Sequence, residues 1–153
     1  MARFADALDR NMEDIKRPPP LPIGNYRFRV TKMPEPPREI EGKPYEILSI
    51  PVAVVEALDD VDPDELREFG AVANTGTRLD FIFNTDPEEA AKFEGTLNRL
   101  KEFIERCGVS AEGSLKEALS HIVNAQFIGE IGHRPDPNDD SVIYHEIRRT
   151  SAL

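Results

Sequence analysis

The chain has 153 residues, of which 39% are hydrophobic and 31% charged, with one cysteine and a net charge of −10. That suits one domain, or one domain with an arm. It excludes an internal disulfide framework and a cysteine-cluster zinc site, and no apolar run approaches the ~18 residues of a membrane helix.

The first ten residues, MARFADALDR, hold acids and no apolar core, so no signal peptide is expected. Together with the lone thiol this points to a reducing cytoplasm. Residues 2–16 place Phe4, Leu8 and Met12 at helical spacing, with Ala5 and Ile15 near that face, which predicts a short amphipathic helix. This arm docks on the body or frays in solution, or else it contacts another subunit or a replication partner. Arg17 to Pro22, RPPPLP, is a stiff polyproline spacer. Residues 1–22 therefore form an arm and spacer, and 23–150 the folded domain.

Gly24 to Met33 is the first predicted strand: Tyr26, Phe28 and Val30 alternate with Arg27, Arg29 and Thr31. After a proline-rich loop, a long second strand runs from Tyr45 to Ala57, with Leu48, Ile50, Val52 and Val54 on one face. Tyr45, Ile47 and Ser49 take the other. Pro51 should mark a bulge or an edge, since it cannot donate to a ladder. Asp62-Pro63-Asp64-Glu65 reads as a capping box opening a helical turn that ends at Gly70.

The third strand is Arg78 to Asn84, with Leu79, Phe81 and Phe83 on one face. Asp86-Pro87-Glu88-Glu89 repeats the capping pattern and launches the longest helix, which ends at Cys107 before Gly108. Its expected buried stripe is Ala90, Phe93, Leu97, Leu100 and Ile104. Ser114 and Glu117 cap a second helix over Leu115 to Ile122. Two strands follow, Ala125 to Gly132 and Ser141 to Arg149, joined by the loop HRPDPNDD.

The fold class is thus mainly β with helices: three strands, a helical segment, then two strands. Five antiparallel strands can curl into a small barrel with the helix plugging one end, which is the OB-fold order. A five-stranded sheet covered by helices in another topology is the competing arrangement.

No G-x-S-x-G, Walker or H-E-x-x-H pattern occurs, so neither catalytic residues nor a cofactor is expected. Cys107 lies where a helix macrodipole disfavours a thiolate. Asp60, Asp62 and Asp64 are spaced like the start of a calcium loop. Glu65 and Ala71, however, stand where that loop needs Gly and a bidentate Glu. His133, Asp136, Asp139 and Asp140 crowd a segment with ordinary turn chemistry. His121 and His145 read as packing or surface residues. No metal site is expected.

Charge is unevenly spread. Residues 51–75 carry Arg67 against Glu56, Asp59, Asp60, Asp62, Asp64, Glu65 and Glu68, a net of −6. Residues 25–50 carry a net of +1. With the apolar strand faces turned inward, Arg27 and Arg29, Tyr45, and Arg78 point outward. Lys32, Arg38 and Lys43 lie on or near the loop between the first two strands, and Arg134 opens the loop between the last two. In OB folds the face of strands two and three and these loops form the ligand groove. Single strands are held there by a cationic track and by rings on which bases stack. The available rings are Tyr45 and Tyr144. A solvated basic face without a ligand is the competing account.

This pattern resembles phage-encoded single-stranded DNA-binding proteins of the OB-fold type. The resemblance rests on LPIGNYRFRV, the long second strand, DFIFNTDPEEA leading into LNRLKEFIERCG, and the closing NAQFIGEIG and SVIYHEIRR. It covers most of residues 20–150. It implies a non-catalytic protein coating single-stranded DNA during replication or recombination, with replication or recombination proteins as further partners, a dimer as one assembly, and Arg27, Arg29, Lys43, Tyr45 and Arg78 in the groove. The rival is an acidic protein-interaction module, such as a phage adaptor or DNA-mimicking inhibitor, using Asp59, Asp60, Asp62, Asp64 and Glu65. A third class, a small enzyme or nuclease accessory, has no residue set to support it.

Overall fold

In the computed structural model, residues 3–15, 17–110 and 112–153 are described. It is a mixed fold: a mostly antiparallel sheet of six strands with a few helices. The strands are β1 (Gly24–Val30), β2 (Arg38–Glu39), β3 (Tyr45–Ala57), β4 (Gly76–Asn84), β5 (Gln126–Asp136) and β6 (Asp139–Ser151). The helices are α1 (Phe4–Ala7), α2 (Pro63–Phe69), α3 (Ala90–Arg106) and α4 (Leu115–His121), with 3-10 turns at Met12–Asp14 and Pro87–Glu89.

The five long strands pair in the order β4-β3-β1-β5-β6, and β2 adds two residues to the β1 edge of β3. Among the described residues no ladder joins β4 to β6, so the sheet is open there. Strand β3 makes this possible by pairing along both edges, with β4 over Tyr45–Ala53 and with β1 over Val52–Ala57.

Pro51 sits where those two ladders meet. Its carbonyl accepts from the Thr31 N–H at 3.0 Å, so its missing N–H also lies on the β1 edge. The ladder to β4 passes Pro51↔Arg78 without a break, while pairing with β1 stops at Val30↔Val52. The edge half of the expectation fits locally, since the nitrogen faces the side of β3 on which pairing with β1 has ended, and no bulge lies at Pro51. The bulge lies elsewhere, between Arg27 and Phe28.

The core follows the predicted alternation. Tyr26, Phe28 and Val30 are buried, as are Leu48, Ile50, Val52 and Val54 of β3 and Leu79, Phe81 and Phe83 of β4. Helix α3 buries Leu100, Phe103, Ile104 and Thr96, with Phe93 and Leu97 half-buried, while Ala90 is exposed. Its ring Phe103 meets Phe127 of β5 edge-on, with centroids 4.9 Å apart, and lies 5.9 Å from Phe81 of β4. Phe127 stacks on Phe28 of β1 at 5.6 Å. One chain of rings thus links β1, β5, α3 and β4.

Local capping is simpler than expected. Asp62 accepts from Asp64 N at 2.8 Å and Asp86 from Glu88 N at 2.9 Å, each two residues on. Ser114 caps the third residue, Glu117, at 3.1 Å.

Two segments differ from expectation. The arm is not one helix over 2–16: α1 is a single turn, and Phe4, Leu8 and Met12 are 80, 67 and 84% exposed. A stripe without a surface to cover does not repay helix nucleation. Ala2 and Lys16, at the ends of that predicted helix, lie outside the described residues. The HRPDPNDD segment is not a loop. Strands β5 and β6 stay paired through Arg134↔Tyr144 and Pro135↔Ile143, and only Pro137 and Asn138 turn. Pro135 is tolerated because β1 pairs with β5 no further than Ile131, so its nitrogen breaks no second ladder.

The spacer is clasped by β5 and β6. Leu21 is fully buried, and its N–H donates to His145 Nδ1 at 2.9 Å. His133 Nε2 donates to the Leu21 carbonyl at 2.7 Å. The Tyr26 hydroxyl donates to the Pro22 carbonyl at 2.6 Å. Burial, and then neighbouring His133, holds His145 below the ordinary imidazole range. Among the described residues no helix is long and apolar enough to cross a membrane.

Two outcomes follow from this packing. A Cβ at Gly129 would lie 2.8 Å from the Phe28 ring, which Phe127 already pins. Gly129→Ala should therefore cost about 1–3 kcal/mol, read from the urea midpoint. His145 accepts on Nδ1 and so must be neutral in the fold. As pH falls below ~6.5, the unfolded chain binds a proton that the native state resists, and stability drops. The urea midpoint should be lower at pH 5.5 than at 7.5, and less so in His145→Gln.

Candidate functional site

The outward face of β3 and β4 is built by cross-strand pairs. From one end these are Tyr45↔Asn84, Ile47↔Ile82, Ser49↔Asp80, Pro51↔Arg78 and Ala53↔Gly76. Arg38 of β2 sits beside Ile47, and Arg29 of β1 beside Ala53. The face therefore carries Tyr45, two isoleucines and three arginines. Ile82, on the edge strand β4, is 51% exposed.

Helix α3 adds cations that its apolar stripe concealed. Lys92 and Arg99 line a hollow of about 500 Å³ together with Tyr45, Ile82 and Asn84. The reason is Thr96, buried between them: its hydroxyl lies 3.1 Å from the Ile82 carbonyl and accepts from Arg99 at 3.1 Å. A polar residue within an apolar helix stripe was the available signal.

The sequence-predicted residues divide into groups. Tyr45, Arg38, Arg78 and Arg29 share the β3–β4 face or its border. Arg78 is 3.3 Å from Asp80, which also accepts from Ser49 at 2.6 Å. Arg29 donates to Asn124 at 3.1 Å. Arg27 points outward but lies near the far end of β3, 2.9 Å from Glu56. Lys32 is exposed just after β1, and Lys43 in the turn before β3, where it lines a hollow with Tyr45 and three acids, Glu39, Glu41 and Glu46.

Arg134 is corrected: it lies in β5, not in a loop, because the hairpin runs to Asp136. There it is 3.5 Å from Glu146, with its guanidinium 5.7 Å from the Tyr144 ring centre. Arg17 approaches the same ring at 5.4 Å. The Tyr144 hydroxyl donates to Asp136 at 2.8 Å. The Asn138 N–H, and then Tyr144, hold Asp136 below the usual carboxylate range. Tyr144 is thus occupied by its own chain, and Tyr45 is the ring that faces a hollow.

The acids have local partners. Asp60 accepts from the Asn25 backbone and side chain, at 3.0 and 2.8 Å. Asp62 caps α2, and Asp64 pairs with Arg67. Asp59 is exposed beside Asp60, and Glu65 lies in the first turn of α2. All five follow the end of β3 opposite Tyr45. Cys107 is half-buried, and burial pushes its thiol up to about 11.

Electrostatically, the face sets Arg29, Arg38 and Arg78 against Asp80, with Lys92 and Arg99 beside it. Its ion pairs are solvent-exposed and individually weak, so a phosphate can displace a carboxylate partner at little cost. No family model matches the sequence, and no curated protein matches it.

Proposed function

We propose that the protein is a non-catalytic single-stranded DNA-binding protein of the OB type, with little sequence preference. The observation that carries this is the set on the outer β3–β4 face: Tyr45 and Ile82 flanked by Arg38, Arg78, Lys92 and Arg99. Rings and apolar side chains take bases, and guanidiniums take phosphates. Among the long strands β3 and β4 are second and third, the positions of the ligand face in an OB fold. The order β4-β3-β1-β5-β6 supports this reading, since an OB barrel opened between its third and fifth strands would have the same neighbours. The resemblance to phage-encoded single-strand binders supports a role in replication or recombination in the host cytoplasm.

The test is fluorescence anisotropy with a labelled ~30-nucleotide oligo-dT and a duplex of equal length, at about 50 and 200 mM salt. Tight, salt-sensitive single-strand binding with a much weaker duplex is expected. Arg38→Gln with Arg78→Gln should lower the salt slope by about one to two units. Tyr45→Ala should cost about 1–3 kcal/mol at either salt. Absence of single-strand binding at low salt overturns the proposal.

A further inference from the structure

Lys92, Arg99 and Arg106 are spaced seven residues apart on α3. Two helical turns separate each from the next, about 11 Å, with a drift of only ~20°. They therefore form one cationic row of about 21 Å along a single flank of the helix. That flank borders the outer edge of β4, the edge without a ladder partner among the described residues. Arg99 links two spaces. On one side is the hollow with Tyr45 and Ile82. On the other is a cleft of about 420 Å³ between β4, α3 and β6, which takes in Arg106, Arg148 and Arg149.

Four arginines line that cleft against two acids, Asp80 and Glu102. This is a local reversal of sign in a chain of net −10. Its floor is apolar, with Phe81, Phe103 and Ile147. Arg106 lies 3.7 Å from Glu102 and donates to Thr150 at 3.1 Å, which aims it at β6. Arg148 donates to the His133 carbonyl at 2.6 Å. Arg99 and Arg149 have no ion-pair partner among the described residues.

We infer that the α3–β6 cleft is a second phosphate-binding segment, continuous with the β3–β4 face through Arg99. It rests on the single-strand reading proposed above. A bound strand turns off the sheet at Ile82, follows the Lys92–Arg99–Arg106 row and reaches Arg149. The seven-residue spacing favours an extended polyanion over a compact anion, which would need its cations converging on one point. The exposed Glu89 and Glu102 partners of Lys92 and Arg106 contribute little, so phosphates can replace them.

The test compares two charge-matched double variants of the full chain, Arg106→Gln with Arg149→Gln and Lys101→Gln with Lys116→Gln. Lys101 and Lys116 are exposed and lie off the row. Urea midpoints first show that both variants are folded. With ~30-nucleotide oligo-dT, the arginine pair should lose about tenfold in affinity at ~50 mM salt and about one to two units of salt slope. The lysine pair should stay near wild type. Equal losses in both pairs would overturn the inference, since net charge alone would then explain them. So would an unchanged arginine pair while the Arg38/Arg78 variant is weakened, a result that leaves the β3–β4 face standing. Polyglutamate bound by wild type and lost in the arginine pair, with DNA binding unaffected, would make the cleft a peptide site and also overturn it. If wild type binds no single strand, both proposals fall together.

Discussion

The ring of Phe103 holds together what backbone pairing leaves apart. Strands β4 and β6 share no ladder among the described residues, so the open side of the sheet depends on α3. Phe103 reaches Phe81 of β4 on one side and Phe127 of β5 on the other. Phe127 then stacks on Phe28 of β1, the strand that pairs with β3. A buried aromatic side chain removes 150–250 Å² from water, and each ring pair adds about 0.5–1.5 kcal/mol. The helix is therefore not a lid placed on a finished sheet. It closes the fold, and closing it by side chains instead of hydrogen bonds leaves the cleft in which Arg99, Arg106 and Arg149 gather.

Much of this was legible in the sequence wherever period and burial agree. Tyr26, Phe28 and Val30 alternate with arginines, and no other face of β1 can be buried. The same holds for Leu79, Phe81 and Phe83. Legibility failed where a local signal competed with a non-local partner. Phe4, Leu8 and Met12 have helical spacing, but spacing does not supply a surface to pack against. Asp136, Pro137, Asn138 and Asp139 have turn composition, yet only the two middle residues are needed to reverse a hairpin. Pro51 was open to two readings, a bulge or an edge, because sequence does not tell which edge a nitrogen faces.

The candidate face divides in the same way. Arg38, Tyr45 and Arg78 were legible because outward positions of a strand follow from its inward ones. Lys92, Arg99 and Arg106 were not, because a helix is read first for its apolar stripe and a cationic row beside it passes for solvation. His145 packs, as one of its two readings has it, but the clasp it forms with His133 was not legible, for a related reason. Their partner, the backbone of Leu21, is over a hundred residues away, and no side-chain pattern announces it.

The net charge of −10 does not argue against a polyanion ligand once its placement is considered. The acidic run begins at Glu56, at the end of β3, whereas Tyr45 stands at its start. Thirteen residues of strand cover about 40 Å along the chain. The Debye length at physiological salt is about 8 Å, so exposed charges that far apart scarcely interact. The Tyr45 end of the face is therefore screened from that run, whereas Arg78 and Arg29, beside Pro51 and Ala53, stand nearer to it, and Glu39, Glu41 and Glu46 line the hollow next to Tyr45. The acids still act at low salt, where screening weakens and long-range repulsion opposes approach. A strongly acidic chain can receive a polyanion only where cations outnumber acids locally, as in the cleft that sets four arginines against Asp80 and Glu102.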